Sequence, residues 1–243
     1  MKRIVTLLII LIVAGAGIGG WFIYQNYSQN ADVDAIKDMK PHISDNSGNS
    51  GSPDNVQTSL MDFTGLKSSN SDIIAWLTIP GTVIDYPVVQ TDNNDFYLHH
   101  DAQKKTNSNG ALFLDFRDPP DFSGFSNVIY GHHMKSERMF QNLMKFKDKA
   151  FFNQYKTGTL YTPGKTYTLE IFAVALTKPY SDWYAYSFES PAAKQAQLDM
   201  MKKTAMFYRD VGITADDHIL VLSTCSYEYT NARTVVAAKL IDE

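Results

Sequence analysis

The single cysteine of this 243-residue chain lies where its neighbours could make the thiol reactive. The apolar segment 218–223 (HILVLS) predicts a strand that leads to Cys225, and a second strand begins near Arg233 after a polar loop of about seven residues. In such a hairpin the two strand ends lie side by side, so the Arg233 guanidinium can lie next to the thiol. A guanidinium there could lower the pKa of the thiol and stabilise an oxyanion. The alternatives are a small buried cysteine and a solvated arginine on a hairpin.

Two adjacent histidines follow another predicted strand. Residues 127–130 (NVIY) predict that strand, and Gly131, His132 and His133 come directly after it. A cysteine nucleophile needs a nearby imidazole as a base or as an ion-pair partner. Metal binding is the alternative, but adjacent side chains on a strand point to opposite faces, and the chain has no Cys- or His-rich spacing to complete a metal site. The sequence therefore predicts neither a metal nor a cofactor.

Mostly short strands would position these residues, within a folded domain at residues 60–243. Further strands are predicted at 83–89, 111–116, 158–161, 167–176 and 234–241. About eight strands in one domain are typical of an antiparallel barrel or sandwich. Two helices are also predicted, one over 138–147 and one that begins at the N-cap Ser190 with Pro191 at its first position. The second helix has one apolar face, which would pack on the sheet.

The amino-terminal region predicts a membrane anchor and a stalk. Residues 4–24 carry no charge, and as a helix they would span about 31 Å, the thickness of the hydrocarbon core. The basic pair before them favours a cytoplasmic tip at residues 1–3 and a body outside the cell. A signal peptide cleaved near Ala14–Ala16 is the alternative. Residues 25–59 are polar and predict a flexible stalk.

Composition excludes two further possibilities. The net charge is −4 and no Lys- or Arg-rich patch stands out, which excludes nucleic acid as a partner. One cysteine excludes an intramolecular disulfide, and a domain of this size can bury enough apolar surface without one.

Several separate motifs resemble those of the class B sortases. The first set combines LSTC at 222–225, Arg233 eight residues later, and YGH at 130–132. The second set is DIIAWLTIPGTVIDYPVVQ at 72–90, the run 92–98 that ends in YL, and the YGHHM…MF block at 130–140. The long helix just ahead of the cysteine strand is also similar to that class. The resemblance covers essentially residues 60–243.

The resemblance implies a closed eight-stranded β-barrel, with N-terminal helices and a long helix before the cysteine strand, that acts as a cysteine transpeptidase of Gram-positive cells. Cys225 would cleave a C-terminal sorting pentapeptide of an exported protein after its Thr and form a thioester, which an amine of a peptidoglycan precursor would resolve. His132 would serve as acid and base, and Arg233 would support the oxyanion or position the substrate. The enzyme would be a single-pass membrane protein whose catalytic domain faces the cell wall.

The same matching implies a substrate groove and leaves two points open. The groove would be lined by Asn94, Leu98, Tyr130, Ser223, Thr177 and Tyr184, with 177–184 as a mobile wall. An acidic residue often follows the cysteine in this class, whereas here Ser226 follows it and Glu228 is the first acid. It is therefore open whether a carboxylate orients His132, and His133 is an alternative base.

Two rival functions remain from the sequence. A hydrolytic cysteine peptidase would use the same residues and release its substrates to water. A membrane-tethered wall-binding module would need no catalysis, with Cys225 merely buried.

Overall fold

The structure is a computed structural model that describes residues 2–41, 43–44 and 60–243, with the side chains of the first range described from Gly15 onward. Of the predicted stalk at 25–59, residues 42 and 45–59 lie outside the described residues. The helices are α1 (Lys2–Lys37), α2 (Thr64–Ser69), α3 (Lys149–Gln154) and α4 (Pro191–Thr204). The strands are β1 (Ile43–Ser44), β2 (Leu60–Met61), β3 (Ile73–Thr78), β4 (Asp85–Val89), β5 (Leu112–Leu114), β6 (Ser126–Tyr130), β7 (Thr157–Tyr161), β8 (Thr166–Thr177), β9 (Phe207–Tyr208), β10 (His218–Cys225) and β11 (Arg233–Asp242). Short 3₁₀ helices occupy Phe96–Leu98, Gln141–Lys147 and Asp182–Tyr184.

Eight strands close into a barrel, which confirms the predicted fold. Their order is β11-β10-β6-β5-β4-β3-β7-β8, and β11 pairs with β8 to close the ring. The purely antiparallel sheet expected from the strand spacing is wrong, because β4 runs parallel to β5 and β10 runs parallel to β6. A tight hairpin requires antiparallel pairing, but long connections join the two strands of each parallel pair and allow them to run in the same direction.

The strand that ends at the cysteine is buried on both faces. Leu220 and Leu222 contribute to the main core cluster, while Ile219 and Val221 contribute to a second cluster on the opposite face. The second cluster includes apolar side chains of α4. Alternate residues of a strand point to opposite faces, so burial of both faces explains the continuous apolar run before Cys225.

The two predicted helices have different outcomes. α4 forms as predicted, and the Ser190 hydroxyl caps it by accepting a hydrogen bond from the Ala193 N–H (3.2 Å). Leu198 and Met201 form part of its buried face. In the other region only Gln141–Lys147 is helical, and it is a 3₁₀ helix.

The amino-terminal helix lies against the barrel over its last turns. Val33 and Ile36 of α1 are buried, and Lys37 donates a hydrogen bond to the Val83 carbonyl (2.9 Å). The structure thus differs here from the predicted flexible stalk, because residues 25–37 are helical and the end of this helix packs on the domain. Buried apolar side chains and side-chain hydrogen bonds fix this part of the chain.

The predicted membrane location is wrong on the structural finding. In the part of the chain whose side chains are described, no helix is long and apolar enough to cross a membrane. This contradicts the single-pass anchor at residues 4–24 and the orientation derived from it.

Asp118 supports the strand that leads to the histidines. It is buried, and its carboxylate accepts a hydrogen bond from the Val128 N–H of β6 (2.7 Å). Burial, together with the nearby charge of Asp115, raises the pKa of Asp118 to about 7. The folded protein keeps the proton on Asp118 up to about pH 7, whereas the unfolded chain loses it near pH 4. The free energy of unfolding that comes from this proton therefore decreases between about pH 4 and pH 7 and stays low above that range.

We therefore expect Asp118→Asn to stabilise the protein in a pH-dependent way. The neutral amide keeps an oxygen acceptor for Val128 and removes the buried charge, so Tm should rise by about 5 °C at pH 8 and change little at pH 5. Thermal unfolding at both pH values measures the effect. Asp121→Asn, at an exposed carboxylate three residues away, serves as the control and should not stabilise. An equal rise in Tm at pH 5 and pH 8 would contradict the interpretation that Asp118 is buried and becomes ionised only at the higher pH.

Candidate active site

β10 and β11 place the cysteine and the arginine beside each other. Cys225, the last residue of β10, pairs directly with Arg233, the first residue of β11. Residues opposite each other in an antiparallel pair share a face of the sheet, with Cβ atoms about 5 Å apart. Both residues are partly buried and line one cavity. Cys225 is therefore not a core residue, and Arg233 is not a fully solvated hairpin charge.

β6 brings a histidine to the same end of the barrel. Tyr130 lies opposite Ser223 in the parallel pair of β6 and β10, and the Gly131 N–H donates to the Ser223 carbonyl (3.1 Å). His132 and Cys225 each lie two residues beyond these paired positions, and both line the cavity. The parallel register thus delivers the imidazole and the thiol to one site.

A backbone carbonyl orients the His132 imidazole. Its Nε2 lies 2.8 Å from the Leu98 carbonyl oxygen. A carbonyl only accepts hydrogen bonds, so Nε2 carries a proton in both the neutral and the charged ring. Nδ1 is therefore the nitrogen that binds and releases a proton. Sequence reasoning missed this partner, because a main-chain carbonyl leaves no signal in the residue type.

Gly110 limits the position of the same ring. Its φ is +61°, and a β-carbon there would lie 2.9 Å from His132 Cδ2 and 2.6 Å from the Tyr97 carbonyl oxygen. These distances are shorter than van der Waals contact, and the left-handed backbone also favours glycine. Gly110 is thus a second residue that sequence reasoning missed.

The second histidine has a different partner. His133 Nδ1 lies 2.8 Å from the Cys225 carbonyl oxygen and donates to it, and its ring lies 5.0 Å from that of Tyr227. Of the two histidines it is His132 that lines the cavity. Glu228, the first acid after the cysteine, forms an ion pair with Lys147. His133 therefore supports the backbone at the end of β10.

A cavity of about 280 Å³ surrounds the thiol. Five residues of the predicted groove line it: Asn94, Leu98, Tyr130, Tyr184 and Ser223. Residues that sequence reasoning did not select also line it, among them Phe113, Arg117, Pro179, Tyr180 and Thr224. Among the described residues, no group of three or more histidine, cysteine, aspartate or glutamate side chains is arranged to hold a metal ion.

Thr177 is not part of this lining and pairs with Arg233 at the end of β8. Its hydroxyl is 2.8 Å from that of Ser181, and its carbonyl accepts a hydrogen bond from the Tyr229 hydroxyl (2.7 Å). Thr177 thus holds the base of the segment that carries Pro179 and Tyr180 into the cavity wall.

One wall of the cavity consists of two stacked tyrosines. The rings of Tyr130 and Tyr184 lie 6.1 Å apart, and the Tyr184 hydroxyl is 2.9 Å from the Ser223 hydroxyl. Burial raises the pKa of Tyr184 to about 12 and raises that of Tyr130 as well. Both phenols are therefore neutral at physiological pH and offer hydrogen bonds without charge.

A buried carboxylate holds Tyr130 and Arg117 together. Asp115 accepts a hydrogen bond from the Tyr130 hydroxyl (3.0 Å) and two from the Arg117 guanidinium (2.8 and 2.7 Å). Burial alone would raise the pKa of Asp115, but these hydrogen bonds outweigh it and keep the pKa below its ordinary value. The Arg117 guanidinium also lies 4.0 Å from the ring centre of Tyr186. The result is a hydrogen-bonded polar group in the lining of the cavity.

The comparisons with known proteins agree on one family. The family model described as Sortase domain matches residues 77–241. Sortase B of Listeria monocytogenes is 32% identical over 227 residues, which cover 91% of this chain and 90% of that protein. The X-ray structure of Clostridium perfringens sortase B superposes with a TM-score of 0.71 at 37% identity, covering 74% of this chain and 100% of that one. Staphylococcus aureus sortase B, solved as a substrate complex, has a TM-score of 0.70 at 31% identity over 74% of this chain and 84% of that one. Sortase B has also been solved in complex with triglycine, where 74% of this chain and 85% of that one are covered at a TM-score of 0.70 and 31% identity.

Gly110→Ala tests whether close packing fixes the histidine. The added methyl group must displace the His132 ring or the turn, and a left-handed alanine adds strain of about 1 kcal/mol or more. We expect a lower Tm and, in ¹⁵N-labelled protein, loss of the single Nε2-protonated tautomer of His132. Gly164→Ala is the matched control, because a β-carbon there has no neighbour within 4 Å and the φ is not positive. An unchanged His132 tautomer in Gly110→Ala would contradict this packing.

Proposed function

The chain belongs to the sortase family and is a class B cysteine transpeptidase, and we propose that it joins a surface protein to the cell wall in two steps. It would first cleave a C-terminal sorting pentapeptide after its Thr and would then transfer the protein to an amine of a peptidoglycan precursor. The observation that carries the proposal is the direct pairing of Cys225 with Arg233 beside His132 in one cavity. We assign residues 60–243 as the catalytic domain, since all eight strands of the barrel lie within this range.

In the first step the Cys225 thiolate attacks the carbonyl carbon of the Thr–X peptide bond. A carbon–sulfur bond forms, and the carbonyl oxygen takes up the negative charge. The Arg233 guanidinium, across the hairpin from the sulfur, supplies N–H donors to this oxyanion or positions the substrate carbonyl. Because these donors are fixed by strand pairing, they need little reorganisation when the charge develops.

His132 handles the protons of both steps. In its charged form it donates the Nδ1 proton to the leaving amine as the carbon–nitrogen bond breaks, which leaves a thioester on Cys225. The neutral ring then accepts a proton from the incoming amine as that amine attacks the thioester; the carbon–sulfur bond breaks, and the Cys225 thiolate and the charged imidazole are restored. The hydrogen bond from Nε2 to the Leu98 carbonyl supports this assignment, since it keeps Nδ1 as the exchanging nitrogen.

The groove residues would bind the sorting peptide on either side of the thiol. Asn94, Leu98, Tyr130, Tyr184 and Ser223 line the cavity, and we assign them to substrate binding. Thr177 would act indirectly by holding the segment with Pro179 and Tyr180, because it pairs with Arg233 and lies outside the cavity lining.

The acceptor is proposed to be a primary amine of a peptidoglycan precursor. A sortase B of this family was solved with triglycine, whose amino terminus is a primary amine of this kind. The S. aureus enzyme, solved as a substrate complex, supports a peptide donor in the same way. Donor and acceptor would occupy the cavity in succession, because both must reach the carbonyl carbon held by Cys225.

The competition between amine and water tests this function. A fluorescence-quenched sorting peptide is incubated with the protein at increasing concentrations of triglycine, and the two products are separated by chromatography. We expect the share of peptide–triglycine product to rise with triglycine, and both products to vanish in Cys225→Ala. Arg233→Lys should lower kcat/KM by about a hundredfold, because lysine cannot reproduce the planar donors of the guanidinium. A product ratio that ignores triglycine would indicate a hydrolytic peptidase instead.

A further inference from the structure

We propose that the amino-terminal helix α1 positions the His132 imidazole, and that Gln29 and Asp34 are the positioning residues through which it acts. The inference rests on the proposed role of His132 in proton transfer. Two sets of contacts lead from α1 to His132, one to its ring through Gly110 and one to its main chain through Phe140.

The first set joins α1 to a tight turn at residues 107–110. The Gln29 carbonyl accepts a hydrogen bond from the buried Asn107 amide (3.0 Å), and the Gln29 side-chain oxygen accepts one from the Ser108 hydroxyl (2.5 Å). The Asn109 amide donates to the Asn30 side chain (3.3 Å). Inside the turn, the Asn107 side-chain oxygen accepts a hydrogen bond from the Asn109 N–H (2.9 Å). The helix and the turn therefore form one hydrogen-bonded unit.

This turn ends at the glycine that touches the catalytic ring. The Gly110 N–H donates to the Asn107 carbonyl (3.1 Å), so the position of Gly110 follows that of the turn. There is no room for a β-carbon between Gly110 and the His132 ring. A shift of the turn by about half an ångström would therefore either push the imidazole out of place or leave it room to rotate.

The second set joins α1 to the loop that follows the histidine. Asp34 forms a two-point ion pair with the Arg138 guanidinium (2.7 and 3.2 Å). Met139, the next residue, forms an isolated β-bridge with His133, and the Phe140 N–H donates to the His132 carbonyl (3.0 Å). The main chain of His132 is thus fixed by a loop whose start is held by α1.

Apolar packing lies between the two sets of polar contacts, so the end of α1 holds both as one unit; we call this part of the helix, Gln29 to Lys37, the clamp. Val33 and Ile36 are buried and line the same small space as Ala102, Gly110 and Met139. All of these contacts, polar and apolar, come from two to three turns of the helix, between Gln29 and Lys37. Cys225 lies at the end of a barrel strand that pairs with β11, whereas both sets of contacts from α1 lead to His132.

The test uses the full chain with Gln29→Ala, Asp34→Asn and the double variant, and Asp38→Asn as the control. Asp34 is an exposed acid near the end of α1 and Asp38 is an exposed acid directly after the helix, but only Asp34 pairs with Arg138. For the double variant we expect kcat to fall about tenfold with KM within about twofold, because misplacement of the imidazole affects proton transfer more than binding. The bell-shaped pH profile of kcat should also shift on the limb that reports His132. Asp38→Asn should match the parent protein.

A merely structural role would give a different result. Loss of folded protein lowers the measured rate at every pH by the same factor, so a lower Tm with an unchanged pH profile and an unchanged kcat per folded molecule would overturn the proposal. The ¹⁵N spectrum of His132 in the same variants gives a readout that needs no turnover, and we expect its Nε2–H resonance to shift in the double variant alone. A parent protein that cleaves no sorting peptide would contradict the proposed function, whereas a variant resonance that stays in place would contradict the clamp.

Discussion

The active site depends on the register between β10 and β11. Antiparallel pairing places Cys225 opposite Arg233, and a slip of one residue would turn the thiol and the guanidinium to opposite faces of the sheet. Burial on both faces prevents the slip, because Leu222 and Val236 lie in one core cluster while Val221 and Val235 lie in the other. Pairing of β11 with β8 closes the barrel and fixes the second strand from its other side. The pairing of the thiol with the guanidinium is thus a consequence of core packing.

The thiol and the imidazole are held by different kinds of structure. Cys225 ends a strand buried on both faces, whereas His132 follows a strand and is oriented by the Leu98 carbonyl and by Gly110, both in connecting segments. Connecting segments are less constrained than barrel strands. Contacts outside the barrel therefore matter more for the imidazole than for the thiol, and the end of α1 supplies them. The adjacent histidine, His133, instead holds the backbone of Cys225 by donating to its carbonyl.

The sequence predicted the elements that distinctive side chains mark, namely the cysteine hairpin and the start of α4. The apolar run before Cys225 and the length of the following loop were enough to indicate the hairpin with Arg233, and Ser190 with Pro191 marked the start of α4. The parallel pairing of β6 with β10 could not be predicted, because it depends on a long crossover and not on a local turn. The Leu98 carbonyl and the contact at Gly110 involve no distinctive side chain, so the orientation of the His132 ring could not be predicted from the sequence. The packing of α1 was missed because its last turns are polar, and their partners lie far along the chain.

Intact-protein mass spectrometry of a trapped intermediate tests the central claim most directly. The protein is mixed with a sorting peptide without any added amine and quenched in acid within milliseconds to seconds, and the adduct is located by peptide mapping. The account predicts one acyl group per chain, attached to Cys225 as a thioester that hydroxylamine removes. An adduct on another residue, or peptide turnover that persists in Cys225→Ala, would contradict it.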